Sequence, residues 1–124
     1  MPQQGVISIV DDDESVRGAT SKLLRIDGYD VHGFASAEEF LQSPVLGTTR
    51  CLISDVRMPR VGGLELQARL STLGYRIPII FLTAFPEDRS RERALAAGAI
   101  CFLSKPFDAE ILTGFIRRAM DLPR

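Results

Sequence analysis

The chain has little of what a disulfide scaffold, a membrane protein or a nucleic-acid binder needs. Its two cysteines, Cys51 and Cys101, each open an apolar, strand-like run. A buried, reduced thiol is expected there, not a disulfide, a metal site or a redox pair. No apolar stretch approaches the roughly 20 residues of a membrane span, and the polar opening MPQQG lacks a charged and then apolar leader, so a cytoplasmic location is expected. Charges nearly cancel, with 16 acidic against 15 basic residues and a net charge of -1. That balance gives no broad basic face, so direct nucleic-acid binding by this domain is not expected. The lone His32 has no partner cluster near it in sequence and reads as structural. Solenoid-type repeats, low-complexity segments and internal linkers are also missing. What is present is a chain of 124 residues, 45% apolar and 25% charged. Residues 1–124 are thus expected to form one globular domain, large enough to bury a core without staples.

Along the chain, strand-like and helix-like patterns alternate. Gly5 to Val10 is a short β-branched run, and Val16, Ala19, Thr20, Leu23 and Leu24 then fall at helical spacing until Gly28. YDVHGF reads as a strand, followed by Ser36 as N-cap of a short helix with Ala37, Phe40 and Leu41 on one face. CLISDV is a strand ending at Asp55; a loop with Pro59, Gly62 and Gly63 leads to a helix with Leu66, Leu70 and Leu73 inside, closed by Gly74. IPIIFLTAF predicts a strand with Pro78 at its edge, then a helix over about Glu87 to Ala97. Arg89, Arg91 and Arg93 alternate with polar residues in this helix, so its apolar stripe is poor and its packing should be the weakest. AICFLS predicts a fifth strand, and Asp108 caps a last helix with Ile111, Leu112, Phe115, Ile116 and Ala119 facing inward. Strands too apolar to face water on one side, alternating with helices, predict an open α/β fold with a parallel sheet covered on both faces.

In such sheets the working crevice lies beyond the carboxyl ends of the strands. The first strand ends in Asp11, Asp12 and Asp13, the third in Asp55, the fourth in Thr83, and the fifth in Ser104 and Lys105 before Pro106. Taken singly, an aspartate at a helix start is a cap that complements the helix dipole, and a strand-end aspartate is a solvated loop residue. Together these readings leave an imbalance, because carboxylates a few ångströms apart repel by about 4 kcal/mol per pair at an effective dielectric near 20. A hard divalent cation held by oxygen ligands offsets that repulsion, and Mg²⁺ suits one or two carboxylates, a backbone carbonyl and waters. A small hydroxyl and a long cation aimed at the same carboxylate are what a transferred phosphoryl group needs, so Asp55 is the expected covalent acceptor. Asp13 is expected to cap the first helix, with Glu14 in its first turn.

The runs VDDDE, CLISDVRMPRVGGLEL, FLTAF and FLSKPF resemble, in order and over essentially the whole chain, the motifs of the two-component response regulator receiver domain. That resemblance implies a doubly wound, flavodoxin-like sheet of five parallel strands in the order 2-1-3-4-5 with five helices. It implies that Asp55 takes a phosphoryl group from a phosphohistidine on a sensor histidine kinase. Asp12 and Asp55 would bind Mg²⁺ directly with the backbone carbonyl of Arg57, and Asp11 would support the ion largely through water. Thr83 would hydrogen-bond the phosphoryl group, Lys105 would pair with it, and Pro106 would fix the turn that aims Lys105. Phe102 matches the aromatic switch position, and Met58 and Pro59 match the loop after the phosphorylated aspartate. The implied molecule is a phosphoacceptor switch and not a turnover enzyme, which catalyses its own phosphorylation and slow dephosphorylation. Phosphorylation would alter the surface made by the fourth helix, fifth strand and fifth helix, where a phosphorylation-driven homodimer would form. GLELQARL and the tail DLPR resemble receivers joined to a helix-turn-helix transcription effector.

Two positions depart from the common pattern. Arg57 stands where Asn is frequent, and Phe85 sets a bulky ring near the path of attacking water, which predicts slow self-dephosphorylation. A phosphohydrolase of the haloacid dehalogenase kind would use Asp11 and Asp13 of the first strand, but its Thr or Val pattern and its late acidic pair are missing. A plain flavodoxin-like binding module leaves the convergence of Asp11, Asp12, Asp55, Thr83 and Lys105 unexplained.

Overall fold

A computed structural model describes residues 5–122. Five strands alternate with five helices: β1 Val6–Val10, α1 Glu14–Ile26, β2 Val31–Phe34, α2 Ala37–Leu41, β3 Thr49–Asp55, α3 Gly63–Thr72, β4 Ile79–Thr83, α4 Asp88–Ala96, β5 Cys101–Ser104 and α5 Ala109–Met120. A single turn of 3-10 helix, Leu46–Thr48, leads into β3. All strand pairs are parallel, and the sheet order is β2-β1-β3-β4-β5. The central strands β1 and β4 are buried along their whole length. This is why their sequences read as unbroken apolar runs and not as alternation.

Two cores result, one on each face of the sheet. Ile7, Ile9, Cys51, Ile53, Ile80 and Leu82 point to one face, where Leu24 of α1 and Leu112, Ile116 and Ala119 of α5 cover them. Val10, Leu52, Ile79 and Phe81 point to the other, under Phe40 of α2, Leu66 and Leu70 of α3, and Ala94 of α4. Asp13, Ser36 and Asp108 cap α1, α2 and α5 through side-chain oxygens that accept backbone N–H groups. Ala94 is the one buried residue of α4. The helix is tied to α3 by Gln67, whose Nε2 donates to the Ala94 carbonyl at 3.1 Å. At the opposite pole of the sheet from the strand ends, Arg50 of β3 donates from Nη2 to the carbonyls of Met120 and Leu122, at 3.2 and 3.1 Å, and so grips the end of α5.

Three side chains assigned inward by helical spacing face water instead. Leu73 is 61% exposed and Ile111 is 50% exposed, and Ala19 also lies on the outer face of α1. Leu73 is the C-cap of α3, where the chain has already turned away from the sheet. On α5 the buried set is Leu112, Ile116, Ala119 and Met120, which rotates the inward stripe off Ile111. The strands β2, β4 and β5 are shorter than their apolar runs, since Tyr29, Asp30, Ile77, Pro78, Ala84, Phe85, Ala99 and Ile100 lie outside them. Met1 to Gln4, and Pro123 and Arg124 of the tail DLPR, lie outside the described residues.

Candidate functional site

The parallel topology brings the carboxyl ends of β1, β3, β4 and β5 to one edge, and the chemistry collects there. Asp11 follows β1 and is 2% exposed. Its Oδ1 accepts the N–H of Asp13 at 2.9 Å and its Oδ2 accepts Lys105 Nζ at 2.9 Å. Asp55 ends β3; its Oδ1 accepts the N–H of Val56 at 2.7 Å and its Oδ2 accepts Lys105 Nζ at 3.2 Å. Asp12 is exposed at the rim. One carboxylate oxygen from each of Asp11, Asp12 and Asp55 lies within 4.8 Å of the others.

Burial pushes the Asp55 carboxyl above the usual carboxylate range; the nearby Lys105 ammonium opposes that rise and the Asp11 carboxylate adds to it. Burial works to lower Lys105, but its bonds to Asp11 and Asp55 and their negative charges outweigh burial and hold it above its ordinary value. One ammonium facing three carboxylates leaves a formal excess of two negative charges. Hard oxygen donors with that excess suit a divalent cation such as Mg²⁺.

Thr83 closes β4, next along the chain from Leu82, the register partner of Asp55 in β3. It is 1% exposed, and its Oγ1 accepts the N–H of Phe85 at 3.1 Å, leaving the hydroxyl proton to be donated. The N–H of Lys105 donates to the Thr83 carbonyl at 2.8 Å, which locks β5 to β4 beside the site. The Lys105–Pro106 peptide bond is cis. A cleft of about 570 Å³ opens here, lined by Asp12, Asp13, Asp55, Arg57, Phe85 and Lys105 among others. Asp11 and Thr83 are buried beside it and do not line it.

The first helix sorts the three acids. Asp13 Oδ1 accepts the N–H groups of Ser15 and Val16, at 2.9 and 3.3 Å, so this carboxylate is a cap as expected. That removes it from the Asp11–Asp13 pair which a strand-one phosphohydrolase would need. The loop after Asp55 returns over the strand end: Gly63 donates its N–H to the Val56 carbonyl at 2.8 Å, and a Cβ at Gly63 would collide with the Asp55 carbonyl oxygen and Phe81. Only glycine lets α3 begin so close to Asp55.

Phe102 is half-buried on β5, with its ring tilted against Phe81 at 6.1 Å between centroids. His32 lies on β2, away from the cleft, 3.3 Å from Asp30. Three contacts at the site were not read from sequence. Arg57 donates to Glu87 Oε1 at 2.9 Å, and its guanidinium carbon stands 5.1 Å above the Phe85 ring, so the loops after β3 and β4 are joined at the cleft mouth. Arg17 reaches back from α1 to the Asp11 carbonyl at 2.7 Å. An arginine six residues past a strand-end aspartate, one helical turn into α1, was the available signal for the last.

Comparison with known proteins gives a consistent result. The family model for the response regulator receiver domain matches residues 7–117. The response regulator protein TmoT of Ectopseudomonas mendocina is 46% identical over 120 residues, which are 97% of this chain and 54% of that protein. The transcriptional regulatory protein TdiR of Thauera aromatica is 39% identical, over 95% of this chain and 52% of its own length. The solved structure of the response regulator StyR superposes with a TM-score of 0.87 at 39% identity, covering 94% of this chain and 59% of that one. The chain therefore spans about half the length of the curated relatives it matches.

Proposed function

Since this chain belongs to the response regulator receiver family, we propose that it is the phosphoacceptor switch of a two-component signalling pair, with Asp55 as the acceptor. The observation that carries this reading is Lys105 Nζ shared between Asp11 at 2.9 Å and Asp55 at 3.2 Å, beside an acidic cluster with two excess negative charges. An Asp55 carboxylate oxygen attacks phosphorus on a kinase phosphohistidine; the P–N bond breaks, a P–O bond forms, and imidazole leaves. Asp12, Asp55 and the Arg57 carbonyl would hold Mg²⁺, with Asp11 supporting the ion largely through water. The cation would neutralise charge on the phosphoryl oxygens. Lys105 pairs with one of those oxygens, and the Thr83 hydroxyl proton is donated to another.

The acyl phosphate carries a charge of about -1.5 to -2 and three strong acceptor oxygens where one carboxylate stood. Thr83 moves toward it, and Phe102 turns into the space vacated beside α4. The surface of α4, β5 and α5 changes, because α4 is held by Ala94, the Gln67 bond and little else that is apolar. Such a switch catalyses its own phosphorylation and slow dephosphorylation and needs a sensor histidine kinase as partner. A homodimer through the changed surface, and control of transcription, the role named for the relative TdiR, are the outputs that fit.

The test is mass spectrometry after treatment with a small phosphodonor, with and without Mg²⁺. One phosphoryl group on Asp55, dependent on Mg²⁺ and lost in Asp55→Asn, is expected. Labelling that persists in Asp55→Asn, or multiple turnover with release of phosphate, would overturn the reading. Thr83→Ala should keep most of the labelling while losing the surface response.

A further inference from the structure

Arg17 is the fourth residue of α1, yet its side chain turns back over the sheet instead of out to water. Its stem crosses the end of β2, where a Cβ at Gly33 would lie 3.1 Å from both Arg17 Cγ and Cδ. The bare glycine keeps that track open. The guanidinium then donates from Nη1 to the backbone carbonyl of Asp11 at 2.7 Å. None of the salt bridges among the described residues includes Arg17, so this cation bonds an uncharged acceptor beside an acidic cluster.

That carbonyl needs such a donor. The β1–β2 ladder closes with Asp11 N–H donating to the Phe34 carbonyl at 3.1 Å, and β2 ends at Phe34. No further strand residue can meet the outward carbonyl of Asp11, and a buried one without a partner is costly. With Arg17 in place every polar group of Asp11 is engaged: the N–H by Phe34, the carbonyl by Arg17, Oδ1 by the Asp13 N–H, and Oδ2 by Lys105. The next residue, Asp12, is exposed, and its carboxylate has no such set of partners, so what the preceding peptide sets is where its Cα–Cβ bond starts and points.

We infer that Arg17 is a positioning residue for the cation site, fixing the Asp11–Asp12 peptide so that the Asp12 carboxylate stands within ligand range of Asp11 and Asp55, and that the missing side chain at Gly33 leaves the passage for its stem. The inference rests on the reading of the acidic cluster as a Mg²⁺ site. Among the described residues Arg17 pairs with none of the three carboxylates. Its effect runs through backbone, as outer-shell partners commonly act on metal ligands.

The test measures half-saturating Mg²⁺ by calorimetry and, separately, the phosphodonor labelling rate at saturating Mg²⁺. Arg17→Met keeps the stem and removes the donors; it should raise half-saturating Mg²⁺ by roughly tenfold, within the range for outer-shell substitutions, with a much smaller change in the saturated rate. Arg17→Lys, which keeps one cationic donor, should restore part of the affinity. Gly33→Ala should weaken Mg²⁺ binding in the native chain and have no further effect in an Arg17→Ala background. A purely structural role predicts lower melting temperatures with unchanged Mg²⁺ affinity, and that outcome overturns the inference. If Arg17→Met does not fold, the Gly33→Ala comparison decides alone: unchanged affinity there also overturns it. A native chain that binds no Mg²⁺ overturns the metal reading itself, whereas a native chain that binds it while both variants bind equally well overturns only the role of Arg17.

Discussion

Replacing Asp55 by Asn should stabilise the metal-free protein even though it destroys the proposed acceptor. The Asp55 carboxylate is destabilised chiefly by its burial and further by the Asp11 carboxylate, and the Lys105 ammonium opposes both. Asp12 is exposed and adds little across solvent. Removing the charge while keeping the shape relieves the burial and the Asp11 repulsion at the loss of the Lys105 contact at 3.2 Å, for a net gain of about 1–2 kcal/mol. With a urea dependence of about 1–3 kcal/mol per molar for a small domain, the midpoint should rise by about 1 M. The assay is urea unfolding followed by circular dichroism, at neutral pH, low ionic strength and with a chelator.

The gain also has a pH signature. The folded-state pKa of Asp55 is raised above 3.8, so the folded protein binds that proton more tightly than the unfolded chain does. The associated stability is fully present in the native chain below 3.8 and is lost as pH rises through the folded-state value. The advantage of Asp55→Asn should accordingly vanish in acid and grow toward neutrality. Saturating Mg²⁺ should shrink it as well, because a bound cation stabilises the native site most. A variant no more stable than the native chain at neutral pH would show that Lys105 already compensates the cluster, and the case for a cation site would lose its electrostatic basis.

Other outcomes follow from the same geometry. Gly63→Ala should lower stability by about 1–3 kcal/mol, the usual cost of forcing an atom into a packed site, because the new methyl meets the Asp55 carbonyl and Phe81; an unchanged melting temperature would contradict the close approach. Burial pushes the Cys51 thiol up to about 12 and the Cys101 thiol up to about 11. Both should resist alkylation at mildly alkaline pH until the protein unfolds, and the stability they contribute should be present below 9.0, their unfolded value, and fall as pH rises toward those figures. Fast labelling of either thiol in the folded state would refute their burial. Phe85→Ala should shorten the phosphoryl lifetime severalfold by opening the cleft to water and removing the surface under Arg57; a decay rate equal to that of the native chain, followed by loss of labelled protein, would rule out this screen.

Much of this was legible because a parallel sheet imposes a simple rule. Each strand runs in the same direction, so residues at strand ends that are far apart in sequence, such as Asp11, Asp55, Thr83 and Lys105, must share an edge. Capping was legible for a local reason, since Asp13, Ser36 and Asp108 each act within three residues. What sequence hid depends on helix rotation or on rotamers. Ile111 and Leu73 carry the right chemistry for the core, yet α5 rotates the first outward and the end of α3 releases the second. The path of Arg17 over Gly33 and the stack of Arg57 on Phe85 join side chains whose reach no periodicity records.

Arg50 and Asp55 occupy opposite tips of the same strand. One tip holds the last turn of α5 through the Met120 and Leu122 carbonyls, while the other carries the carboxylate in the cleft. At about 3.3 Å per residue, roughly 17 Å of stiff, doubly covered backbone separates them. A segment joined after α5 would hang from the far end of the beam that bears the proposed acceptor, so a message written at one tip would travel around the flank of the sheet and not pass directly to its neighbour.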